Sequence, residues 1–134
     1  MDRPFFTVVM PAYGVEKYLK KAVDSIRNQT FKDWELIIVE DGSPDRTGEL
    51  ADELAGKDLR IRAVHHEKNK GLSQARNTGI RHAKGKYIWF MDPDDSVEES
   101  LLQDVWKALQ ENPARFTVFG HVDEYYEKDG SFSY

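Results

Sequence analysis

The sequence predicts a three-layer α/β fold, in which a mostly parallel sheet carries helices on both faces. Apolar, β-prone runs alternate along the chain with segments whose apolar residues recur at helical spacing. The strand-like runs are solidly apolar rather than alternating, which is typical of strands buried on both faces. Strand–helix–strand order with such strands favours parallel pairing and right-handed crossovers.

The first half of the chain contains two strand–helix units. Residues 5–10 form an apolar run that Pro11 ends, and residues 15–29 carry a helical apolar stripe. Residues 34–39 are a second, nearly continuous apolar run. Residues 44–55 are predicted to be helical, with Gly56 as the stop.

The second half repeats the pattern. Residues 60–65 form a shorter strand, residues 72–83 a third helix and residues 86–91 a fourth strand. A fourth helix is predicted over residues 97–110 and a fifth strand over residues 116–119. Asp129 and Gly130 lie between aromatic residues and predict a hairpin in the tail, within which the chain stops. We therefore expect a C-terminus produced by truncation.

The composition is that of one soluble domain spanning residues 1–134, with 40% hydrophobic and 32% charged residues. The net charge of −5 argues against a general nucleic-acid surface. The absence of cysteine excludes disulfides and thiolate sites. No signal peptide follows Met1, and no apolar run approaches the roughly 20 residues that a membrane span needs.

An acidic cluster follows the predicted fourth strand. Asp92, Asp94 and Asp95 fall within four residues, where like charges repel unless a cation lies among them. Carboxylate oxygens suit hard divalent ions, so the pattern indicates Mn²⁺ or Mg²⁺. The alternative is stabilisation of a helix N-terminus by acids. We rank it lower because Ser96 and Glu99 are predicted to form the capping box of the fourth helix.

Three further loops should meet this cluster, because ligands of parallel sheets bind beyond the carboxyl ends of the strands. Asp41 follows the second strand; it is either a turn residue or, as we favour, a nucleotide ligand. Gly42 permits a positive φ, and Ser43 is predicted to cap the second helix with Pro44 as its first residue.

Two other side chains leave alternatives open. Arg76 lies near the start of the third helix and either reaches a phosphate or carboxylate of the site or forms a surface salt bridge. Tyr13 either stacks on a base or covers the sheet edge. The four histidines show no metal-ligand spacing and are interpreted as incidental; they are His65, His66, His82 and His121.

Together these segments resemble the family 2 glycosyltransferases over about residues 5–102. The matching motifs, in order, are TVVMPAY (7–13), SIRNQT (25–30), ELIIVEDGS (35–43), NKGLSQARN (69–77) and DPDD (92–95). Each motif is weak alone, but five in order with this spacing are specific. The resemblance implies the GT-A fold, a Rossmann-like nucleotide-diphospho-sugar transferase architecture.

The resemblance also implies roles for individual residues. Asp94 or Asp95 would hold Mn²⁺ or Mg²⁺ against the diphosphate, with a neighbouring acid on the ribose. Arg76 would line the donor pocket. The implied nucleotide-sugar-binding residues are Pro11, Ala12, Tyr13, Asp41, Arg76, Asp92 and Asp94, and the implied metal ligands are Asp94 and Asp95.

The activity implied is inverting, metal-dependent transfer from a UDP-, dTDP- or GDP-sugar to a glycan or lipid-linked acceptor in bacterial cell-surface polysaccharide synthesis. It would take place in the cytoplasm, at the inner face of a membrane. In such enzymes the general base and the acceptor half come later, so we expect the base beyond residue 134.

Three other classes are alternatives that we rank below a transferase, and the first of them is supported by the missing base. A non-catalytic sugar-nucleotide-binding module would share the donor site and lack the base. A signalling receiver would need an acidic pair after the first strand, where this chain has Pro11, Ala12 and Tyr13. A sugar-nucleotide synthase would need a glycine-rich basic loop at the same place.

Overall fold

A computed structural model describes residues 3–111 and the backbone of residues 125–127. The described part is a single sheet with strand order β3-β2-β1-β4-β5. The strands are β1 (Phe6–Ala12), β2 (Trp34–Glu40), β3 (Ile61–His65), β4 (Tyr87–Phe90) and β5 (Tyr125–Glu127). The helices are α1 (Leu19–Arg27), α2 (Thr47–Lys57), α3 (Leu72–His82) and α4 (Leu101–Glu111).

Strands β1 to β4 are parallel, as predicted, and β5 joins β4 in antiparallel orientation. The chain runs outward from β1 through β2 to β3, then returns to place β4 on the other side of β1. The gap between the carboxyl ends of β1 and β4 is therefore the topological switch point, where α/β sheets bind ligands. The predicted strand over residues 116–119 lies outside the described residues, as do His121, Asp129 and Gly130.

The helices cover both faces of the sheet, which confirms the three-layer prediction. Residues of α1, α2 and α4 share one hydrophobic cluster with alternate side chains of β1 and β2. Residues of α3 pack with the intervening side chains on the opposite face. Every residue of β1 and β2 is buried, as the solid apolar runs predicted.

Helices α1 and α2 begin later than the periodicity predicted. Residues 15–18 form a turn before α1 because the backbone N–H groups of Val15 and Glu16 bond to the side chains of Thr47 and Asp45, at the start of α2 and just before it. Helix α2 begins at Thr47, so Ser43 is not its cap and Pro44 is not its first residue. Hydrogen bonds from the backbone to side chains outweighed helix propensity at both starts: Asp45 and Thr47 accept before α1, and Asp45 accepts from the Thr47 N–H at the start of α2.

The predicted capping box of α4 is wrong. The helix begins at Leu101, so Ser96 and Glu99 do not stand at its cap positions. Instead, the fully buried Gln29 binds this segment with its amide. It donates to the Glu98 carbonyl (2.7 Å) and accepts from the Leu102 N–H (3.0 Å), which fixes the path of the chain between the acidic cluster and α4.

Candidate functional site

The loops after β1, β2 and β4 are joined at the carboxyl edge of the sheet by backbone hydrogen bonds. The Asp41 N–H donates to the Ala12 carbonyl (2.9 Å), and the Met91 N–H donates to the Val9 carbonyl (3.0 Å). Since β1 lies between β2 and β4, the predicted site residues of three loops converge on one edge. Parallel pairing of the strands predicted this convergence, because it places their carboxyl ends at the same edge.

The acidic cluster is compact. Ligand oxygens of Asp92, Asp94 and Asp95 all lie within 4.8 Å of one another. Asp92 and Asp94 are exposed and Asp95 is half-buried. This donor set fits a hard divalent ion such as Mn²⁺ or Mg²⁺, which prefers carboxylate oxygens and keeps several waters.

The late start of α4 also weakens the alternative explanation for these acids. The first turn of the helix begins at Leu101, beyond the stretch that contains the cluster. Helix-dipole stabilisation falls off within the first turn. The three aspartates therefore do not serve as the N-terminal acids of this helix.

Asp41 is nearly fully buried, with 4% exposure, and its carboxylate organises a neighbouring loop. Its Oδ1 accepts from His66 Nδ1 (2.7 Å) and the Lys70 N–H (2.9 Å), and its Oδ2 accepts from the Gly71 N–H (3.0 Å). Burial raises its pKa, but these bonds outweigh burial and hold the pKa below the ordinary value of 3.8. Two oxygens offer about four acceptor positions, so roughly one is left for a bound molecule.

The sequence did not predict the contacts that the histidine pair at the end of β3 makes with neighbouring carboxylates. His65 faces Glu40 and His66 faces Asp41, so two imidazoles lie against two carboxylates at the end of the neighbouring strand β2. The register pairs Glu40 with His65 directly. The sequence did contain a signal for these contacts. Two adjacent histidines lie at the end of β3, and two adjacent acids lie at the end of β2.

His65 is held from both sides. Its Nδ1 lies 2.9 Å from Glu40 Oε1 on β2, and its Nε2 lies 2.8 Å from Asp52 Oδ1 on α2. Both nitrogens donate only in the imidazolium form, and the bonds to Glu40 and Asp52 raise the pKa of His65 above 6.5. Burial raises the pKa of Glu40, but the bond from His65 and that from the Ser43 N–H bring it below 4.5.

We expect the stability of the protein to fall on both sides of a window between about pH 5 and 6.5. A histidine whose pKa is raised on folding stabilises fully below its unfolded value of 6.5, and this contribution is lost as the pH rises through the folded pKa. Acids with lowered pKa, such as Asp41 and Asp58, stabilise above their unfolded value of 3.8 and lose this effect as the pH falls.

Urea unfolding between pH 4 and pH 9 measures this profile. His65→Gln should remove most of the decline above neutral pH, whereas the exposed His82→Gln should retain it. A wild-type stability that does not change between pH 6 and pH 9 would contradict the ion-pair assignment of His65.

Arg76 reaches the end of β4 from α3. Its guanidinium carbon lies 5.3 Å from the ring centroid of Phe90, the last residue of β4. Its Nε is buried, and within residues 3–111 it has no hydrogen-bond partner. No salt bridge of Arg76 is found among these residues, so the alternative of a surface ion pair is not supported.

Pro11 and Ala12 are buried at the end of β1, whereas Tyr13 is 50% exposed immediately after them. Gly14 follows with a φ of 62°. The aromatic ring therefore lies at the sheet edge, and about half of the residue is exposed to solvent. Pro11 lies beyond the last β1–β4 pair, Val9 with Phe90, and on that side it is paired with none of the residues that the structure describes.

A cleft of about 780 Å³ lies away from these residues. It runs between α1 and residues 96–101, and it contains none of the predicted site residues. Its acidic lining is Asp24, Glu98, Glu99 and Asp104, whose carboxylates do not converge as those of Asp92, Asp94 and Asp95 do. The chemistry therefore favours the sheet edge over this cleft.

Comparison with known proteins agrees with this geometry. The family model described as Glycosyl transferase family 2 matches residues 7–133. The uncharacterized glycosyltransferase EpsJ of Bacillus subtilis is 44% identical over 109 residues, covering 81% of this chain and 31% of EpsJ. The minor teichoic acid biosynthesis protein GgaB of the same organism is 42% identical over 109 residues, covering 80% of this chain and 12% of GgaB.

Two solved structures share the fold. S. aureus TarS 1-349 in complex with UDP-GlcNAc has a TM-score of 0.76 at 28% identity, covering 81% of this chain and 32% of that one. The mannosyltransferase PcManGT from Pyrobaculum calidifontis, in complex with GDP-Man and Mn²⁺, has a TM-score of 0.76 at 25% identity, covering 85% and 34%.

The chain thus spans about a third of EpsJ and of both structures, and an eighth of GgaB. Within the described residues, none of the helices has the length and apolar character needed to cross a membrane.

Proposed function

The chain belongs to glycosyl transferase family 2 and has the GT-A fold, and we propose that its sheet edge binds a nucleotide-diphosphate sugar for transfer of the sugar to an acceptor. The observation that carries this proposal is the compact trio Asp92, Asp94 and Asp95 at the end of β4. It lies at the switch point of the sheet, where nucleotide ligands of parallel α/β folds bind.

Asp94 and Asp95 are the proposed metal ligands, and Asp92 faces the donor beside them. A bound Mn²⁺ or Mg²⁺ supplies charge that offsets the diphosphate and the negative charge developing on the leaving group. The PcManGT structure, which shares the fold, is a complex with GDP-Man and Mn²⁺, which supports a divalent metal at the donor site.

The nucleotide is assigned to the other side of the switch point. Tyr13 has an exposed aromatic ring, and it directly follows the buried residues Pro11 and Ala12 at the end of β1. The remaining acceptor position of Asp41 suits an N–H of the base. Arg76, whose buried Nε has no hydrogen-bond partner within residues 3–111, is assigned to a phosphate or carboxylate group of the pocket.

We propose further that transfer inverts the anomeric configuration and serves the synthesis of a cell-surface polymer. GgaB, a teichoic acid biosynthesis protein, supports the class of product. The acceptor would be a glycan or a lipid-linked glycan, which would bring the active site to the cytoplasmic face of a membrane. No general base is assigned among residues 3–111.

Calorimetric titration tests the donor site. We expect UDP or GDP to bind in Mn²⁺, and the affinity to fall by at least about tenfold in EDTA, because the metal offsets the diphosphate charge. dTDP serves as the third comparator for the base. Absence of metal-dependent binding by all three would contradict the proposal, and binding without transfer by the full-length protein in the presence of acceptors would instead indicate a binding module.

A further inference from the structure

Three side chains spaced two residues apart bind three consecutive backbone N–H groups of the loop after β1. The Gly14 N–H donates to Ser43 Oγ (3.1 Å), and the Val15 N–H donates to Thr47 Oγ1 (2.9 Å). The Glu16 N–H makes a longer contact of 3.5 Å with Asp45 Oδ2. We call Ser43, Asp45 and Thr47 the 43–47 clamp.

The clamp is itself held rigidly. Thr47 is fully buried, and its hydroxyl donates to Asp45 Oδ1 (2.6 Å) while its N–H donates to the same oxygen (3.0 Å). The bond from the Thr47 hydroxyl holds the pKa of Asp45 below its ordinary value. The Ser43 N–H donates to Glu40 Oε2, which ties the clamp to the end of β2.

The N–H groups that the clamp binds belong to no helix or strand. Gly14, Val15 and Glu16 lie between the end of β1 at Ala12 and the start of α1 at Leu19. Without the clamp, these N–H groups would donate to water, and the loop would sample other conformations. The residue directly before them is Tyr13, the exposed aromatic ring of the site.

We propose that Ser43, Asp45 and Thr47 are positioning residues that preorganise the Tyr13 loop for the donor nucleotide, an inference that rests on the proposed function. In this proposal they act on the loop backbone, through the N–H groups of Gly14, Val15 and Glu16. Their effect on affinity comes from ordering the loop before binding, so that binding does not bear that entropic cost.

The test compares the nucleotide affinity of Thr47→Val with that of Thr47→Ser. Valine keeps the shape of threonine but removes the acceptor of the Val15 N–H, whereas serine keeps the hydroxyl. We expect Thr47→Val to weaken UDP or GDP binding in Mn²⁺ by roughly 3- to 10-fold, which is the range for one or two lost hydrogen bonds. Thr47→Ser should stay within about twofold of the wild type.

A purely structural role would give a different pattern. Both substitutions alter a buried side chain and should lower the melting temperature, so thermal stability does not distinguish them. Ser25→Ala is the matched control, because that hydroxyl bonds to the Ala22 carbonyl within α1. Equal affinities for Thr47→Val, Thr47→Ser and Ser25→Ala would overturn the positioning role.

A double-mutant cycle with Tyr13→Ala tests whether the clamp acts through that ring. We expect Thr47→Val to lose most of its effect on affinity when Tyr13 is alanine, because the ordered loop then presents no ring. Fully additive effects would contradict the proposal. Amide exchange of Gly14 and Val15 should also accelerate at least about tenfold in Ser43→Ala/Thr47→Val.

Failure of the proposed function is separable from failure of this inference. A wild-type protein that binds no nucleoside diphosphate contradicts both. A wild-type protein that binds UDP or GDP with an affinity unaffected by Thr47→Val contradicts the clamp alone.

Discussion

Replacement of Asp94 by asparagine is expected to weaken Mn²⁺ binding in the presence of UDP or GDP by roughly 100-fold or more. The substitution keeps the shape of the side chain and removes one of three carboxylates whose oxygens lie within 4.8 Å. Changes to residues that only orient metal ligands already cost about 10- to 100-fold, so loss of a charged ligand should cost at least as much. Calorimetry with Mn²⁺ and the nucleotide measures it.

Matched variants locate the ligand set within the cluster. Asp95→Asn should behave like Asp94→Asn, and Asp92→Asn should reduce nucleotide affinity more than metal affinity. Glu98→Gln is the control, because Glu98 is an exposed acid on the same segment outside the trio. A loss with Glu98→Gln as large as that with Asp94→Asn would show that general negative charge, rather than the trio, attracts the metal.

Replacement of Gly42 by alanine is expected to be the most damaging single change at the sheet edge. Gly42 has a φ of 69°, and a Cβ there would lie 2.5 Å from the Lys68 carbonyl carbon and 2.6 Å from the Asn69 nitrogen. These are backbone atoms, which cannot avoid the clash by a change of rotamer, so residues 66–71 must move. The free energy of unfolding should fall by about 3 kcal/mol, from backbone strain and the clash together.

The same displacement should abolish nucleotide binding, because Asp41 accepts hydrogen bonds from Lys70 and Gly71 in that segment. Gly14→Ala separates the effect of backbone strain from that of a clash: the φ of Gly14 is 62°, but a Cβ there would lie within 4 Å of no atom of the described residues beyond its chain neighbours. That variant should lose only about 1 kcal/mol of stability. Equal destabilisation by both substitutions would mean that contact with residues 68 and 69 is unimportant.

The sheet and its carboxyl edge were predictable because their signal is local. Solid apolar runs define the central strands, and acids placed directly after them, Asp41 and Asp92, are brought together by parallel topology alone. The positive φ of Gly42 also followed from its position in the turn, and the structure confirms it.

Helix starts were less predictable because distant partners set them. The turn before α1 exists because Thr47 accepts from the Val15 N–H across 32 positions of sequence. The start of α4 depends on Gln29, which binds Leu102 across 73 positions. Periodicity and capping patterns carry no information about such contacts, so Ser43, Ser96 and Glu99 were assigned caps that the structure does not contain.

The histidine contacts required register as well as order. His65 and His66 could be paired with Glu40 and Asp41 only once β3 was known to lie beside β2 with these ends level. Spacing along one segment, on which metal sites are usually recognised, is uninformative for pairs formed between strands. The role of Asp41 in ordering residues 66–71 was hidden for the same reason.

Paramagnetic mapping of Mn²⁺ with UDP or GDP on the isotope-labelled protein tests whether the acidic trio holds the metal, with Mg²⁺ as the diamagnetic control. We expect the strongest line broadening at the amides of residues 92–95. With Mg²⁺, we expect nucleotide-induced shifts at residues 12–14, 41–43 and 71–76. Broadening centred instead on the acidic cleft lined by Asp24, Glu98 and Asp104 would contradict this assignment of the metal.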